Sequence, residues 1–275
     1  DASNHRIRKI TPSGVVTTIA GSTNGFANGT GTAAKFNFPQ GIAVDNTGNI
    51  FVGDRDNLRI RKIDATGVVT TFAGSGSYAN TDGTGTSASF QIVYGMTIDN
   101  SGNIYVSQDD NHVIRKITPS AVVTTFAGTA GSTGSDNGTG TAAKFNRPKG
   151  LATDASGNIY VAEINNHTIR KITPTGVVTT LAGITGTSGF SDGSTTTAKF
   201  NSPSGVGVNT SGIVYVGDTG NYTIRKIAEA SLSSENFETT TKVSVYPNPS
   251  INIFNVSIDA NANIELFDIT GKKLI

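Results

Sequence analysis

Short apolar runs alternate with turn-forming residues along most of the chain. In one representative stretch the runs cover residues 41–45, 49–52, 59–63 and 68–72, and they are rich in Ile, Val, Thr and Phe. Each run is too short for a helix and has the β-branched and aromatic content of a strand. Gly48 lies in the turn between the first two runs, where a tight hairpin needs a positive φ. The pattern therefore predicts four antiparallel strands joined by hairpins.

This four-strand pattern recurs in tandem. The tetrapeptide Ile-Arg-Lys-Ile occurs five times, and it begins at Ile7, Ile60, Ile114, Ile169 and Ile224. An Ala-Gly pair ends 14 residues after each of the first four copies, and a Phe precedes each of the last four copies by 24 residues. Only the segment between that Gly and the next Phe varies, from 14 to 16 residues. A fixed unit of about 38 residues therefore alternates with a loop that absorbs the insertions.

Tandem units of four antiparallel strands are typical of a β-propeller. A β-solenoid is the competing architecture, but its repeats are usually shorter and have one or two strands per coil. We therefore predict an all-β fold with a propeller at residues 1–227. Its predicted parts are a partial blade at 1–20, complete blades at 39–74, 92–128 and 148–183, and a partial blade at 203–227.

The repeated residues resemble those of a known family. The segments "NHRIRKI", "NHVIRKI" and "NHTIRKI", together with the P-x-G-[IL]-A-x-D and G-N-I-[YF]-V patterns, are similar to the Asn-His-Leu (NHL) repeat. The resemblance implies a propeller of six blades in the full-length protein, whereas the runs in this chain predict 17 strands. We expect either that upstream blades are absent from this sequence, or that residues 15–20 pair with the last three strands and close a smaller ring.

The C-terminal part of the chain has a different composition. Residues 228–242 are polar and rich in Ser, Thr and Glu, which predicts a linker. Residues 243–275 alternate apolar and polar positions and predict further short strands. They resemble the C-terminal sorting domain of type IX secretion cargo at Tyr246, Pro247, Asn248 and Pro249, and at the hairpin residues Asp268, Gly271 and Lys272.

The second resemblance implies where the protein functions. We expect export across the outer membrane of a Gram-negative bacterium by the type IX secretion machinery, followed by release or attachment at the cell surface. Sorting domains of this family continue beyond the residues present here, so we expect this copy to be truncated at Ile275. A small β-sandwich without a sorting role is the alternative for residues 243–275.

Composition restricts the class of protein further. Lys and Arg number 21 against 20 Asp and Glu, so the net charge of +1 creates no field for nucleic acid or an anionic membrane. The chain has no Cys, which excludes disulfides and thiol chemistry. No apolar run approaches the roughly 20 residues of a membrane span. The sequence begins at Asp1 inside a repeat, so we expect any export signal to lie upstream.

Polar residues that recur in every copy favour structural roles. One repeat position holds His5, His112 and His167 but also Leu58 and Tyr222, which favours packing over a metal site. The carboxylates Asp45, Asp99 and Asp154 each precede a Gly hairpin, which favours turn caps over a cation-binding ring. The five Arg-Lys pairs follow the first Ile of each tetrapeptide, which favours hydrogen bonds between blades over a stripe that binds RNA.

Topology indicates which face of the propeller binds a ligand. The turns between the second and third strands share one face with the variable loops between blades, and variable loops often form the binding face of a repeat scaffold. The candidate ligand-binding residues on this face are Asp54, Asp56, Asp109, Asp110, Glu163, Asn165 and Asp218. Such a surface suits a carbohydrate or a protein, and it leaves Ca²⁺ or another divalent metal open. Simple solvation of a polar rim is the alternative.

These patterns favour a secreted or surface-displayed binding or scaffold module that needs no cofactor. The alternative is a metal-dependent enzyme of the lactonase or lyase kind, with a metal in the central channel. An enzyme needs one asymmetric site. The clearest departures from repeat symmetry are Gln91, Val93, Tyr94, Arg147 and Lys149, and they do not form a catalytic set.

Overall fold

The structure is a computed structural model, and it describes residues 1–228, 243–247 and 254–258. Residues 1–229 form one compact unit and residues 230–275 a second. In the first unit every regular element except short 3₁₀ turns is a β-strand. These turns cover Ala2–Asn4, Gly31–Ala33, Arg55–Asn57, Gly85–Ser87, Gly140–Ala142 and Thr219–Asn221.

The strands of the first unit form five antiparallel sheets that follow the chain order. The first sheet pairs β1 (Ile7–Ile10) with β2 (Val16–Ala20). The second contains β3 (Gly29–Thr30), β4 (Pro39–Val44), β5 (Ile50–Asp54), β6 (Arg59–Ile63) and β7 (Val68–Ala73). The third contains β8 (Gly83–Thr84), β9 (Val93–Ile98), β10 (Ile104–Gln108), β11 (Val113–Ile117) and β12 (Val122–Ala127). The fourth contains β13 (Gly138–Thr139), β14 (Pro148–Thr153), β15 (Ile159–Glu163), β16 (Thr168–Ile172) and β17 (Val177–Ala182). The fifth contains β18 (Gly205–Val208), β19 (Val214–Asp218) and β20 (Thr223–Ile227).

This arrangement confirms the predicted all-β propeller of antiparallel blades. The four runs predicted in the first complete copy correspond to β4, β5, β6 and β7. The alternative in which residues 15–20 join the last three strands is wrong, because within residues 1–228 β2 pairs with β1 and β20 pairs with β19. The number of six blades stays a prediction.

Each complete blade has a fifth strand that the sequence pattern did not predict. The two-residue strands β3, β8 and β13 lie in the connecting loops and pair with the outermost strand of the blade that follows. Gly31 extends this contact, because its amide donates to the carbonyl of Gly67. The second half of each loop is therefore fixed to the next blade.

The hydrophobic core lies between consecutive sheets. One cluster joins Phe51 and Ile60 of the second sheet to Val93, Met96 and Ile104 of the third. The repeated Phe36, Phe90, Phe145 and Phe200 have almost no exposed surface. Because inward-facing residues of neighbouring sheets pack together, burial of apolar surface holds successive blades side by side.

Glycine allows the innermost strands to approach closely at one end. A Cβ atom at Gly41 would lie 2.9 Å from the carbonyl oxygen of Tyr94, and one at Gly150 would lie 2.6 Å from that of Ser204. Only glycine fits these positions without displacing the backbone. These contacts set the spacing of β4, β9, β14 and β18 around the axis of the propeller.

The structure describes two strands of the second unit. β21 (Val243–Pro247) pairs antiparallel with β22 (Phe254–Ile258). Tyr246 and Pro247 of the predicted sorting motif lie in β21. The other motif residues, Asn248, Pro249, Asp268, Gly271 and Lys272, lie outside the described residues.

Candidate functional site

Buried arginines attach each connecting loop to the blade that follows it. Arg61 has no exposed surface, and its Nη1 donates to Oδ2 of Asp54 at 2.9 Å. Its Nη2 donates to the carbonyl of Ala27 and to Oδ1 of Asn28, both in the preceding loop. Arg170 makes the same set of bonds with Glu163, the carbonyl of Asp136 and Asn137. These two arginines therefore have a structural role, but they bond to their own blade and to the connecting loop before it, and not directly to a neighbouring blade as the sequence predicts.

Desolvation and hydrogen bonding act in opposite directions on the buried carboxylates. Burial raises the pKa of Asp54, and bonds from the amide of Asn37, from Asn57 and from Arg61 reduce the rise. Burial also raises the pKa of Glu163, against the charge of Arg170. The arginine partner therefore favours the ionised form of each carboxylate and opposes the effect of burial.

In the third sheet, the carboxylate next to the buried arginine comes from a different position. Gln108 stands where the other copies have Asp54, Glu163 and Asp218. The loop residue Asp82 takes over as the carboxylate, 2.7 Å from Nη2 of Arg115. The side-chain nitrogens of Gln108 and Asn111 are buried in the described part of the chain without a hydrogen-bond partner.

The histidines fix the backbone of the following blade. Nδ1 of His5, His112 and His167 accepts a hydrogen bond from the amide of Phe38, Arg147 and Ser202, respectively. All six residues have φ between 51° and 59°. A backbone amide donor requires a neutral imidazole nitrogen, so the predicted structural role of these histidines agrees with their geometry.

The hairpin carboxylates are turn caps, as the repeat pattern predicts. Oδ1 of Asp45 accepts hydrogen bonds from the amides of Thr47 and Asn49. Oδ1 of Asp154 accepts the equivalent bonds from Ser156 and Asn158. Burial alone would raise the pKa of Asp154, but these hydrogen bonds and those from the side chains of Asn158 and Tyr160 outweigh it and lower the pKa.

The seven predicted ligand-binding residues separate into two groups. Four are fully buried and ion-paired with an arginine: Asp54, Asp109, Glu163 and Asp218. The other three are exposed at the turns after the second strand: Asp56, Asp110 and Asn165. The buried four hold the scaffold together and do not meet solvent, so they cannot contact a ligand directly. The exposed three stay predictions.

A cavity of about 460 Å³ opens where the innermost strands begin. We call it the mouth cavity, and its lining residues are Asp1, Ala2, Pro39, Gln40, Tyr94, Gly95, Lys149, Gly150 and Ser204. Pro39 pairs with Asp54 in the register of the sheet, so the cavity lies on the face that carries the turns after the second strands. This is the face on which the topology predicts binding.

One repeat position supplies four side chains of different chemistry to the mouth cavity. The residue before the repeated glycine of the innermost strand is Gln40 in the second sheet, Tyr94 in the third, Lys149 in the fourth and Ser204 in the fifth. The scaffold positions around it repeat, whereas this position does not. Sequence inspection singled out Tyr94 and Lys149 as departures from symmetry, but it did not show that they lie at one cavity.

A cluster of charged and aromatic groups surrounds Tyr94 and Lys149. Arg147 holds the buried Asp109 through two bonds, from Nε at 2.7 Å and from Nη2 at 3.0 Å, and this pairing raises the pKa of Arg147. Nζ of Lys149 lies 4.6 Å from the centre of the Tyr94 ring. Arg55 lies over the same ring at 5.1 Å and donates to the Tyr94 hydroxyl at 3.3 Å.

Among the described residues, no three or more His, Asp or Glu side chains are grouped in a way that would hold a metal ion. None of the helices in the same part of the chain is long and apolar enough to cross a membrane.

Comparison with protein-family models identifies the repeat and the tail. The teneurin NHL domain model matches residues 24–93, and the NHL repeat model matches residues 145–172 and 200–227. The model of the secretion system C-terminal sorting domain matches residues 244–275.

The chain spans only a small fraction of the length of the curated relatives that it matches. Protein SUPPRESSOR OF QUENCHING 1, chloroplastic, of Arabidopsis thaliana is 32% identical over 149 residues, which are 50% of this chain and 14% of that protein. Human NHL repeat-containing protein 2 is 30% identical over 151 residues, 50% of this chain and 21% of the relative. Human teneurin-4 is 28% identical over 279 residues, 90% of this chain and 9% of the relative.

Solved structures share the fold at low sequence identity. An auxiliary nutrient binding protein from Bacteroides thetaiotaomicron superposes with a TM-score of 0.64 at 21% identity, covering 82% of this chain and 54% of the other. A streptogramin B lyase gives a TM-score of 0.51 at 15% identity, covering 82% of this chain and 62% of the other. The sorting-domain match implies export by the type IX secretion machinery. The chain is an NHL-repeat β-propeller protein with a secretion system C-terminal sorting domain at residues 244–275.

Proposed function

We propose that this protein is a secreted or cell-surface binding module in which the propeller presents a ligand site at the mouth cavity. One observation carries the proposal. The blades share their buried arginine, phenylalanine and glycine positions, but the position that lines the mouth cavity holds Gln40, Tyr94, Lys149 and Ser204. A scaffold without a ligand has no need of four different chemistries at one cavity.

The size and place of the cavity support a small ligand or one end of a larger one. Its volume of about 460 Å³ falls within the range of small-molecule sites, roughly 300–1,000 Å³. The side chains around it offer an amide, a hydroxyl, an aromatic ring and an ammonium group, which suit a carbohydrate or a polar segment of a protein. The nutrient-binding protein of similar fold is compatible with this role, but a likeness at 21% identity extends to the fold alone.

The sorting domain supplies the second half of the proposed function. A binding module outside the cell must be exported, and residues 244–275 match a domain that directs export. We propose release from the cell or attachment to its outer surface as the final location.

Deletion of residues 243–275 from the gene tests the export half. The shortened protein should remain inside the cell, while the complete protein should appear in the medium or at the surface, as immunoblots of cell fractions would show. A matched control replaces the polar segment 231–240 by a Gly/Ser segment of equal length, which should leave export unchanged. Normal export of the deletion variant would contradict the sorting role.

A screen of immobilised glycans and surface proteins with the complete chain tests the binding half. We expect binding to at least one class of ligand, and unchanged binding in EDTA. Loss of binding in EDTA together with a stoichiometric metal in the purified protein would favour the metal-dependent alternative. A protein that binds nothing in the screen would count against the module.

A further inference from the structure

The ammonium group of Lys149 at the mouth cavity is only weakly compensated by its neighbours. Its nearest carboxylate oxygen, Oδ2 of Asp109, lies 4.0 Å away. That carboxylate already receives two hydrogen bonds from Arg147. Among the described residues, no side-chain or backbone acceptor lies within hydrogen-bond distance of Nζ of Lys149. A partly buried ammonium with unused donors next to a cavity is suited to bind an anion.

The backbone of Lys149 is held firmly in this position. Its carbonyl accepts a hydrogen bond from the buried hydroxyl of Ser107 at 2.6 Å, and that hydroxyl accepts one from the amide of Gly95 at 2.8 Å. Gly95 and Gly150 in turn bring the strands β9 and β14 close to their neighbours. The lysine therefore starts from a rigid strand, which lowers the entropic cost of binding.

Tyr94 directs the ammonium group. The ring centre lies 4.6 Å from Nζ of Lys149, within the range of a cation–π contact. The ring also lies next to Arg55, whose Nε is buried without a hydrogen-bond partner among the described residues and has Oδ1 of Asp56 at 3.7 Å. Two cations therefore flank one aromatic ring at the edge of the cavity, and an anion placed there would reduce their mutual repulsion.

The remaining groups indicate what else the ligand carries. Gln40 is exposed, and its amide has both donors and an acceptor. The hydroxyl of Ser204 is hydrogen-bonded to that of Thr219 and retains capacity for a further bond. Asp1, the carboxylate in the lining, accepts a bond from Asn4. Donors and acceptors that line the same cavity as a cation are suited to a ring that bears hydroxyl groups and one carboxylate.

We propose that the mouth cavity binds the carboxylate of an acidic sugar, with Lys149 as the charge-binding residue and Tyr94 as the residue that positions it. This inference rests on the proposed binding function and names the class of ligand. The aromatic and hydroxyl-binding groups favour a sugar acid over a simple inorganic anion.

Titration with a matched pair of probes tests the inference. Methyl β-D-glucuronide and methyl β-D-glucoside differ only in a carboxylate against a hydroxymethyl group. Binding to the complete chain would be measured by calorimetry and by saturation-transfer NMR up to about 50 mM, where weak binding is still detected. We expect the glucuronide to bind roughly tenfold or more tightly than the glucoside, since a hydrogen bond to a charged group carries that much energy.

Variants that exchange repeat residues provide the controls. Lys149→Gln places in the fourth sheet the residue that the second sheet has at Gln40, so the fold accommodates it. It should weaken glucuronide binding by roughly 10- to 100-fold and remove the preference over the glucoside. Gln40→Lys adds a second ammonium to the cavity and should strengthen glucuronide binding. Lys62→Gln, on a strand away from the cavity, should change neither the affinity for the glucuronide nor its preference over the glucoside.

The possible results separate the two proposals. Equal affinity for both probes, or unchanged glucuronide affinity in Lys149→Gln, would overturn the acidic-sugar assignment. If neither probe binds but the wider screen finds another ligand, the assignment falls and the binding function stands. If neither probe binds and the screen is empty, both fall.

Discussion

At the scale of single residues, the histidine position shows how one side chain determines the conformation of another blade. His5, His112 and His167 each accept a bond from a residue in the left-handed region of φ. The copy with Leu58 has no acceptor, and the residue opposite it is Ile92, which has no positive φ. A β-branched residue strongly disfavours the left-handed region, so the two replacements belong together.

The environment of His112 predicts a pH dependence of stability. Burial lowers the pKa of His112, Arg147 acts in the same direction, and Asp109 and Asp110 oppose them. The unfolded chain therefore takes up a proton near pH 6.5, while the folded chain takes it up at a lower pH. Stability from this residue is complete above pH 6.5 and is lost as the pH falls through the window below it.

Replacement of His112 by Leu tests this argument. The variant should lose about 1 kcal/mol at pH 7.5, the value of one hydrogen bond, because the amide of Arg147 loses its acceptor. It should also lose less stability than the wild type between pH 7.5 and pH 5.5, as measured by urea unfolding at both values. An equal loss of stability in both proteins over this range would contradict the assignment.

At the scale of elements, the second, third and fourth sheets each keep one carboxylate next to the buried arginine but take it from either of two places, whereas Arg225 of the fifth sheet pairs with both Asp192 and Asp218. The carboxylate comes from strand residues 54 and 163 in the second and fourth sheets, where the loop residues are Asn28 and Asn137. It comes from the loop residue Asp82 in the third sheet, where the strand residue is Gln108. A buried guanidinium without a carboxylate would be costly, so the charge moves and does not disappear.

Moving the charge back in the third sheet tests this compensation. Asp82→Asn removes the carboxylate from Arg115 and should cost about 1–3 kcal/mol, reduced because the Asp82 side chain is 53% exposed. Adding Gln108→Glu should recover most of that loss, since it recreates the pair of Glu163 and Asn137. Chemical unfolding of both single variants and the double variant gives the coupling free energy between positions 82 and 108.

The control for this cycle is Asp136→Asn, which removes a surface pair with Lys144. It should change stability by less than about 1 kcal/mol, as exposed ion pairs usually do. A double variant no more stable than Asp82→Asn alone would show that the strand and the loop do not share one charge requirement.

Much of the fold could be predicted from sequence because alternation and turn chemistry are local signals. The strands β4 to β7 follow the apolar runs closely, and the caps at Asp45 and Asp154 follow from their repetition. The short strand β3 escaped prediction because Gly29 and Thr30 have no strand-forming pattern. It forms because its partner β7 offers an unpaired edge.

The sequence predicts these buried carboxylates on the binding face because the turn residues around them are polar. Three of the four are buried next to an arginine seven residues later, as Asp54 pairs with Arg61, Glu163 with Arg170 and Asp218 with Arg225. An acid at this distance before the repeated arginine is a sequence signal of an internal ion pair in these three sheets, and Gln108 replaces it in the third. The mouth cavity needed the structure, because Gln40, Tyr94, Lys149 and Ser204 meet only when the blades assemble.

At the scale of the whole molecule, the residues that maintain the fold repeat from blade to blade, whereas the residue at the position that lines the mouth cavity does not. The repeated arginines, phenylalanines and glycines hold successive blades together, and this requirement is the same in each copy. The position that lines the mouth cavity is free of it, so its side chains can differ without loss of the fold. This division is the central claim of the account.

The most direct test is the variant Tyr94→Gln/Lys149→Gln, which gives three blades the residue found at Gln40. Its thermal unfolding and its ligand binding would be measured on the same sample of the complete chain. The account predicts a melting temperature within about 2–3 °C of the wild type, because a stability change below roughly 1 kcal/mol has this effect in a chain of this size. It also predicts that the variant no longer binds the ligand found in the screen. Retained binding, or a melting temperature lowered as far as in a variant without Arg170, would contradict it.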